Sequence, residues 1–524
     1  MHLKRWLFLV HRWLGVVACA FFAMWFVSGI VMMYVGYPKL TEAERLQHLP
    51  PLDASQPLLG PAQALEAAGI AGPLQSLRLA AASGGQAVYL VVPVRQVATG
   101  GRKLPPGSGT IVVDARTGSV LRKVDRQRVL ASAQAYAGAG VAADYRGTID
   151  EDAFTHSRGL DAHRPLHVVE LADAQATRLY VSGKTGEVVR DAPRAERLWN
   201  YAGAWIHWLY PLRGGALDAY WADIVNWLSV IGIAVALTGM VVGLMRWRFR
   251  RVYRSGSHSP YQGFAMRWHH ISGLLFALVT LTWIFSGLMS MNPWRVFDGK
   301  AAVLRVDAMN GGALGIDAWD ATPAALLASM GGGVRELNWV RRTGQTLVLA
   351  STASGRPVVR DALTAQPYTL DPEALKGAVA LLLPDTVARI DVLCAYDNHY
   401  YAREAHTMTG GTDKPLPVWR VVFTDAPASW VHVDPLTGTV LGRIDSHRRA
   451  SRWLFAMLHS WDWLPLLERR PLWDVVLVAL SLGGAVLSLT GVVIGWRRLG
   501  RKLRGAKPRS PAPAQSAAPS RRPA

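Results

Sequence analysis

The sequence predicts a membrane protein with an α-helical core of four spans and two duplicated α+β domains, related by an internal pseudo-twofold repeat. Three observations predict this fold: four long apolar stretches, the placement of the basic residues, and the similarity of the two halves of the chain. Half of the 524 residues are hydrophobic and only 18% are charged, which is below the quarter or so that is usual in soluble domains. These values argue against both a disordered chain and an ordinary soluble enzyme.

Four stretches contain no charged residue, and each exceeds the ~20 residues that are needed to cross a bilayer. They are Leu14–Val35, Ile224–Met245, Ile271–Met291 and Val475–Trp496. The first stretch is longer than a signal-peptide core and no A-x-A-type cleavage site follows it, so it is expected to be a retained anchor.

The basic residues predict the orientation of these spans. The link between the second and third spans carries six arginines and no acidic residue, and further basic residues precede the first span and follow the fourth. The positive-inside rule therefore places both termini and this link in the cytoplasm. Since topology accounts for the net charge of +20, no nucleic-acid partner is predicted.

The long segments between the spans contain alternating apolar runs broken by Gly, Pro and Asp, which indicate small α+β domains on the outer side of the membrane. The predicted organisation is a cytoplasmic N-terminus and first span at 1–35, a first outer domain with a Trp-rich interfacial segment at 36–217, the second span at 218–246, a basic cytoplasmic link at 247–267, the third span at 268–291, a second outer domain with an interfacial segment at 292–470, the fourth span at 471–498, and a disordered cytoplasmic tail at 499–524.

The two halves of the chain match one another, so the chain is an internal duplication. At an offset of 258, the matched residues are His11 with His269, Gly15 with Gly273, and Ser28-Gly29 with Ser286-Gly287. At an offset of 252, they are His207 with His459, Trp221 with Trp473, and Thr238-Gly239 with Thr490-Gly491. Each half therefore consists of one inward-to-outward span, an outer domain and one returning span.

Five motifs occur in order along the chain: HRWLG at 11–15, LYVSGKTGEV at 179–188, HWLY at 207–210, YDNHYY at 396–401 and RWLFAMLH at 452–459. In this combination the chain resembles the PepSY-associated transmembrane helix family. The resemblance implies a bacterial inner-membrane protein linked to iron uptake, with PepSY-like periplasmic domains. It also implies a redox role, because one member of the family looks like a haem-containing reductase of ferric siderophores.

Four histidines at duplicated positions are the candidate metal ligands. His11 and His269 precede the first and third spans on the cytoplasmic side, whereas His207 and His459 precede the second and fourth spans on the outer side. The pseudo-twofold would bring His11 close to His269 and His207 close to His459, which gives two pairs. Two facing imidazoles suit the axial ligation of haem iron, so two molecules of haem b are predicted. Zinc and copper are the alternatives, although zinc usually takes more protein ligands.

Further residues are candidates for supporting these sites or for contacting substrate. Gly15 and Gly273 share a helical face with their histidines and would make room for a flat macrocycle. Candidate partners of the haem propionates are Arg12, Arg197 and Arg452, and His270 is a candidate for the same role or for ligation of a further haem. The candidate substrate-side cluster is Tyr396, Asp397, His399, Tyr400, Tyr401 and Arg403, with a purely structural role as its alternative.

The sequence contains neither a G-x-G-x-x-G motif after a strand nor a P-loop motif, so an external electron donor is expected, either membrane quinol or a cytoplasmic flavin reductase. The predicted function is that of a haem-dependent transmembrane oxidoreductase that reduces a periplasmic acceptor, with a ferric siderophore as the favoured acceptor. The alternative is a membrane-anchored periplasmic protein that binds peptides or proteins, or regulates them, without redox activity. A transporter ranks third, because few polar residues occur within the spans.

Overall fold

The computed structural model describes residues 2–94, 109–299, 301–315, 319–403 and 414–505. In these ranges the α-helices are α1 (His2–Met32), α2 (Glu42–His48), α3 (Pro61–Ala67), α4 (Arg126–Ala137), α5 (Arg194–Asn200), α6 (Trp221–Arg246), α7 (Phe264–Ser290), α8 (Val306–Asn310), α9 (Pro323–Ala328), α10 (Pro372–Val379), α11 (Ser446–Arg452), α12 (Leu464–Leu467) and α13 (Leu472–Gly505). The β-strands are β1 (Leu74–Ser83), β2 (Gln86–Pro93), β3 (Ile111–Asp114), β4 (Ala143–Ile149), β5 (Leu166–Leu171), β6 (Arg178–Ser182), β7 (Val188–Ala192), β8 (Val334–Arg342), β9 (Gln345–Thr352), β10 (Val358–Asp361), β11 (Val387–Leu393), β12 (Val418–Phe423), β13 (Trp430–Asp434) and β14 (Thr439–Ile444). Two π-helical segments, Tyr201–Trp205 and Trp453–Met457, directly follow α5 and α11.

Four of the helices are long and apolar enough to cross a membrane, as the sequence predicts. The candidate spans are Leu3–Met32, Asp218–Arg246, Phe264–Ser290 and Leu472–Lys502. The helices extend beyond the uncharged stretches, because Lys and Arg are good helix formers. His11 and His269 therefore lie inside α1 and α7 rather than ahead of the spans. The last helix continues to Gly505, and the remainder of the predicted disordered tail lies outside the described residues.

The chain divides into two compact units. The first comprises Met1–Val27, Trp227–Phe285 and Ala479–Ala524, and the second comprises Ser28–Asn226 and Ser286–Val478. Apolar side chains from α1, α6, α7 and α13 form the core of the first unit. They include Phe22, Phe26, Val235, Ile284 and Ala485. This unit is therefore a bundle of helices that is held together by apolar packing.

In the second unit, a six-stranded sheet with the order β10-β9-β8-β1-β2-β3 is built from the segments at 36–217 and 292–470, which we call the outer segments after the location that the sequence predicts for them. Strand β1 of the first segment pairs antiparallel with β8 of the second, with Leu77 opposite Trp339 and Leu79 opposite Leu337. These four side chains are at most 1% exposed, so the junction lies in the apolar core of the unit. The sequence predicts α+β structure for each segment, but it does not predict that the segments share a sheet.

Each outer segment also forms a four-stranded antiparallel sheet of its own, β4-β5-β6-β7 in the first and β11-β12-β13-β14 in the second. Helix α4 packs on the first sheet through Val129, and α10 packs on the second through Leu375 and Val379. The repeated turns end in Gly186 and Gly438, with φ values of 76° and 62°, which glycine adopts without steric cost. The duplicated α+β architecture is thus confirmed.

Ion pairs also join the two outer segments. The Glu336 carboxylate on β8 lies 2.8 Å from both the Arg45 and the Arg78 guanidinium, and Arg78 pairs in turn with Glu187 at 3.0 Å. Glu336 and Glu187 are both buried. A buried carboxylate is stable as an ion only when it is paired, so these contacts depend on both segments being present.

Candidate functional site

His11 on α1 and His269 on α7 face each other within the first unit. Their ring centroids are 6.2 Å apart, and the ring planes are inclined by 34°. Nδ1 of His11 lies 3.2 Å from the carbonyl oxygen of Val235, and Nδ1 of His269 lies 3.0 Å from the carbonyl oxygen of Leu487. A carbonyl can only accept a hydrogen bond, so each neutral ring carries its proton on Nδ1. The lone pair that a metal requires is then on Nε2.

The duplicated threonines lie beside the carbonyls that hold these two rings. The Thr238 hydroxyl lies 2.7 Å from the carbonyl oxygen of Ala234 and 3.1 Å from that of Val235. The Thr490 hydroxyl lies 2.7 Å from the carbonyl oxygen of Val486 and 2.8 Å from that of Leu487. Because a hydroxyl has a single proton, the nearer carbonyl of each pair, which belongs to the threonine's own helix, is its main acceptor.

The glycines that follow these threonines lie directly against the rings. A Cβ atom on Gly239 would be 2.7 Å from Cε1 of His11, and one on Gly491 would be 3.2 Å from Cε1 of His269. Carbon atoms in contact are normally about 3.5–4.0 Å apart. The absence of a side chain at both positions is therefore what allows the rings to lie where they do.

His207 and His459 form a second facing pair, within the second unit. Their ring centroids are 6.3 Å apart, and the ring planes are inclined by 80°. Nδ1 of His207 lies 2.9 Å from the Ser28 hydroxyl, and Nδ1 of His459 lies 3.0 Å from the Ser286 hydroxyl. The structure thus brings together the matched histidines in both cases, and it adds the duplicated serines as their hydrogen-bonding partners.

A π-helical segment precedes each histidine of this second pair. His207 lies two residues after Tyr201–Trp205, and His459 lies two residues after Trp453–Met457. A π turn contains one more residue than an α turn, so it rotates the residues that follow it, and such turns often occur at functional sites. No composition signal in the sequence predicts these turns.

The residue after each of these histidines is held by an indole. Trp221 donates to the carbonyl oxygen of Trp208 at 2.8 Å, and Trp473 donates to the carbonyl oxygen of Ser460 at 2.9 Å. Trp221 and Trp473 are the tryptophans that the 252-residue offset pairs. Their duplication therefore preserves a contact that fixes the backbone immediately behind the ring.

The spacing of both pairs fits a single metal ion between two imidazoles. Each imidazole–metal bond is about 2 Å long and each ring nitrogen lies about 1.1 Å from its ring centre, which gives a centroid separation of roughly 6.2 Å. The observed separations are 6.2 and 6.3 Å. Among the described residues, no group of three or more His, Cys, Asp or Glu side chains is arranged to hold a metal. Two imidazoles alone suit haem iron, whose macrocycle supplies the other ligands, better than zinc.

His270, the neighbour of His269, makes different contacts. Its Nε2 lies 2.9 Å from the carbonyl oxygen of Gly243, and its Nδ1 lies 2.8 Å from the hydroxyl of Ser259. The carbonyl fixes the proton on Nε2, so Nδ1 accepts from the serine. Because both ring nitrogens are engaged within the protein, His270 fastens the basic link to α6 and α7 and has no nitrogen left for a metal.

Gly15 and Gly273, the predicted spacers for a macrocycle, lie at contacts between helices. A Cβ on Gly15 would be 3.9 Å from Cγ1 of Val235, and one on Gly273 would be 3.5 Å from Cδ1 of Leu487. Val235 and Leu487 are the residues whose carbonyls hold His11 and His269. The two glycines thus permit close packing of the helices that carry the rings and the helices that carry the acceptors.

The three predicted partners of the propionates have different surroundings. Arg12 is exposed. Arg197 donates to the carbonyl oxygens of Ala176 and Ala192. Arg452 donates to the carbonyl oxygen of Asn398 and to the hydroxyl of Tyr401. Arg197 and Arg452 therefore already bind protein acceptors, whereas Arg12 faces the surroundings of the helix.

Part of the polar-aromatic cluster at 396–403 converges on a carboxylate, Asp462, that no sequence motif indicates. Asp462 is 1% exposed. It accepts a hydrogen bond from Tyr401, and its oxygens lie 2.7 Å from Arg403 and 3.5 Å from Arg452. Burial raises the pKa of Tyr401, which keeps its hydroxyl protonated as a donor. Since Asp462 lies three residues after His459, the cluster anchors the segment that carries this histidine.

The rest of the cluster forms a turn beside the second four-stranded sheet. The Asp397 carboxylate accepts the backbone N–H groups of His399 and Tyr400, both at 2.8 Å, and pairs with Arg420 at 2.7 Å. Burial would raise the pKa of Asp397, but the hydrogen bond and charge of Arg420 outweigh burial and hold this pKa below its ordinary value. Tyr396 donates to a backbone carbonyl. These contacts favour the structural alternative for the cluster.

The family model described as the PepSY-associated TM region matches residues 8–366, which is more than half of the chain and includes His11, His207 and His269. No curated protein matches the chain. The matched range ends before His459, which the internal repeat pairs with His207.

Proposed function

Because the chain belongs to the PepSY-associated TM family, we propose that this membrane protein binds haem b and moves electrons across the bacterial inner membrane. It reduces an acceptor on the periplasmic side, and a ferric siderophore is the acceptor that we favour. Family membership supports the membrane-embedded architecture with a PepSY-associated region. The redox part of the proposal rests on the histidines.

The observation that carries the proposal is the equal spacing of the two histidine pairs. Their centroid separations of 6.2 and 6.3 Å suit one metal ion between two imidazoles. Carbonyl oxygens accept the Nδ1 proton of His11 and His269. With the serine hydroxyls accepting from Nδ1 of His207 and His459, Nε2 would be the coordinating nitrogen in all four rings. Haem b held in this way supplies reversible one-electron transfer and leaves no coordination position for the metal of the substrate.

The contribution of the protein is to fix the imidazoles before any cofactor binds. Carbonyl oxygens of Val235 and Leu487 hold one pair, and the hydroxyls of Ser28 and Ser286 hold the other. Ligands that are oriented in advance bind a metal more tightly than mobile ones.

The donor and the acceptor are external to the chain. The sequence has no nucleotide-binding motif, so membrane quinol or a cytoplasmic flavin reductase would supply the electrons. One electron reduces ferric to ferrous iron within the siderophore, and no bond to the protein forms or breaks. Ferrous iron carries less charge and binds oxygen donors less tightly, so the reduction favours release of the metal.

The proposed topology has both termini and the link at 247–267 in the cytoplasm, and the segments at 36–217 and 292–470 in the periplasm. A phosphatase reporter that is active only outside the cytoplasm tests it. Inserted at the exposed turns of Gly140 or Gly355, the reporter should be active, and fused after Gly505 it should be inactive. The opposite pattern would reverse the proposed direction of electron transfer.

A visible spectrum tests the haem proposal directly. Protein purified from haem-replete cells should show a low-spin b-type spectrum with sharp α and β bands on reduction, and two haems per chain. Alanine at either member of one histidine pair should remove one haem and leave the other. His270→Ala is the matched control, because this neighbouring histidine is bonded within the protein, and it should keep both.

Proteoliposomes test the activity. A reductant that cannot cross the bilayer is placed on the side of the termini, a ferric siderophore is placed on the opposite side, and a chelator specific for ferrous iron reports the product. We expect reduction with the wild-type protein and loss of it with alanine at any of the four histidines. A protein that stays colourless after addition of haem contradicts the proposal and favours the alternative of a membrane-anchored periplasmic binding protein.

A further inference from the structure

The two histidine pairs differ in the chemical group that holds Nδ1. We call His11 and His269 the carbonyl-held pair, because each Nδ1 is bonded to a backbone carbonyl oxygen. We call His207 and His459 the serine-held pair, because each Nδ1 is bonded to a serine hydroxyl. The same difference occurs in both halves of the chain, so it belongs to the sites and not to a single contact.

This difference changes how strongly the imidazoles donate electrons to a metal. An acceptor that draws the Nδ1 proton towards itself makes Nε2 more electron-rich, which stabilises the oxidised metal and lowers its reduction potential. A backbone carbonyl is an obligate acceptor with a large partial negative charge, whereas a serine hydroxyl is a weaker acceptor that also donates. The carbonyl-held pair therefore contains the stronger ligands.

We propose that Ser28 and Ser286 are positioning residues that set a higher reduction potential at the serine-held pair than at the carbonyl-held pair. This inference rests on the proposed function. Under the proposed topology, the carbonyl-held pair is on the side of the electron donor and the serine-held pair is on the side of the acceptor. The choice of acceptor on Nδ1 then makes outward transfer of an electron energetically downhill.

An equilibrium redox titration of the full-length protein, loaded with haem b and followed by its α band, tests the inference. His207→Ala and His11→Ala variants assign the two steps to their pairs. In the wild type, we expect the reduction potentials of the two pairs to differ by at least 59 mV. For a one-electron couple, this difference corresponds to a tenfold difference in the ratio of oxidised to reduced haem at a given potential.

Variants of the serines separate acceptor strength from loosening of the ring. Ser28→Ala with Ser286→Ala should raise the potential of the serine-held pair. Ser28→Asn with Ser286→Asn offers an amide carbonyl in place of each hydroxyl. This double variant should lower the potential of the serine-held pair and reduce the difference between the potentials of the two pairs. The matched control is Thr280→Val, which removes a buried hydroxyl that donates to the Phe276 carbonyl at 2.9 Å. This variant should leave both reduction potentials unchanged.

Equal potentials, or a lower potential at the serine-held pair, overturn the inference but leave haem binding and the proposed function intact. Alanine and asparagine variants that shift the potential in the same direction also overturn it, because loosening of the ring would then explain both. If the asparagine variant does not fold, the alanine variant decides alone, and an unchanged potential contradicts the inference. A protein that binds no haem at either pair overturns both proposals.

Discussion

Replacing Gly239 by alanine should displace the His11 ring and weaken haem binding at that pair. The new Cβ would lie 2.7 Å from Cε1 and 3.0 Å from Nδ1 of His11. Since carbon atoms in contact are about 3.5–4.0 Å apart, the ring would have to move by roughly 0.8–1.3 Å. A ligand in a preorganised site tolerates a displacement of about 0.5 Å, so the required movement exceeds the tolerance.

The ring has no easy way to make this movement. Its Nδ1 is bonded to the carbonyl oxygen of Val235 at 3.2 Å, and a shift away from Gly239 would weaken this bond. Overpacking a core typically costs about 1–3 kcal/mol, and alanine recovers about 1 kcal/mol of it through its higher helix propensity. Helix propensity does not restore the ligand position, so we expect haem affinity to fall about 10–100-fold.

Absorbance titration of the haem-free protein with haem b measures this affinity. Gly243→Ala is the matched control, because it lies one turn later on the same helix and its Cβ would contact Leu274 at an ordinary 3.4 Å. This control should bind both haems with wild-type affinity, whereas Gly239→Ala should bind one of them at least tenfold more weakly. Wild-type affinity and an unchanged spectrum in Gly239→Ala would show that the position of the His11 ring does not control binding.

His270→Ala should keep both haems but lose one hydrogen bond to Ser259 in the link and one to Gly243 in α6, worth about 1–3 kcal/mol together. Limited proteolysis of the link should become faster, and an unchanged rate would contradict this role. Asp462→Asn should destabilise the second unit by about 3–5 kcal/mol, because two largely buried guanidiniums lose their counter-charge. A thermal or denaturant melt measures this loss, with Asp462→Glu, which keeps the charge, as the control. Burial, with the nearby Asp191 carboxylate, raises the pKa of Glu196 from 4.5 to about 7. The folded state therefore binds the proton of Glu196 more tightly than the unfolded state does, so the free energy of unfolding should fall as the pH rises from about 4.5 to 7. Glu196→Gln should remove this part of the pH dependence in melts at pH 5 and pH 8, and identical pH profiles would contradict it.

The four spans and the duplication could be predicted because their signals are local or periodic. A span requires only apolar length, which the stretch Ile224–Met245 shows directly. The duplication places like residues at constant offsets, so His11 could be matched with His269 without knowledge of the fold. The ends of the helices could not be predicted in the same way, because basic residues such as Lys4 are compatible with both a helix and a loop.

The surroundings of the histidines could be predicted only in part. Ser28 and Ser286 are visible as repeated residues, but their spacing does not say which ring nitrogen they reach. The π segment at Tyr201–Trp205 adds one residue to a helical turn and leaves no signal in composition. Asp462 is a single acidic residue in a Trp-rich segment, and its role appears only when Arg403 and Arg452 are brought to it from distant positions.

The pairing of β1 with β8 could not be predicted, because the alternation of side chains along a strand is the same whichever strand lies beside it. Its consequence is that neither outer segment can bury its own share of the six-stranded sheet. Leu79 needs Leu337 opposite it, just as Arg78 needs Glu336. The two histidine pairs obey the same rule, since each takes one ring from each half of the chain. This is the arrangement that results when a symmetric dimer of two-span chains is fused into one chain, because a twofold interface brings equivalent residues together. The duplication has therefore kept both histidine pairs at the interface between the halves, and neither half contains a complete pair.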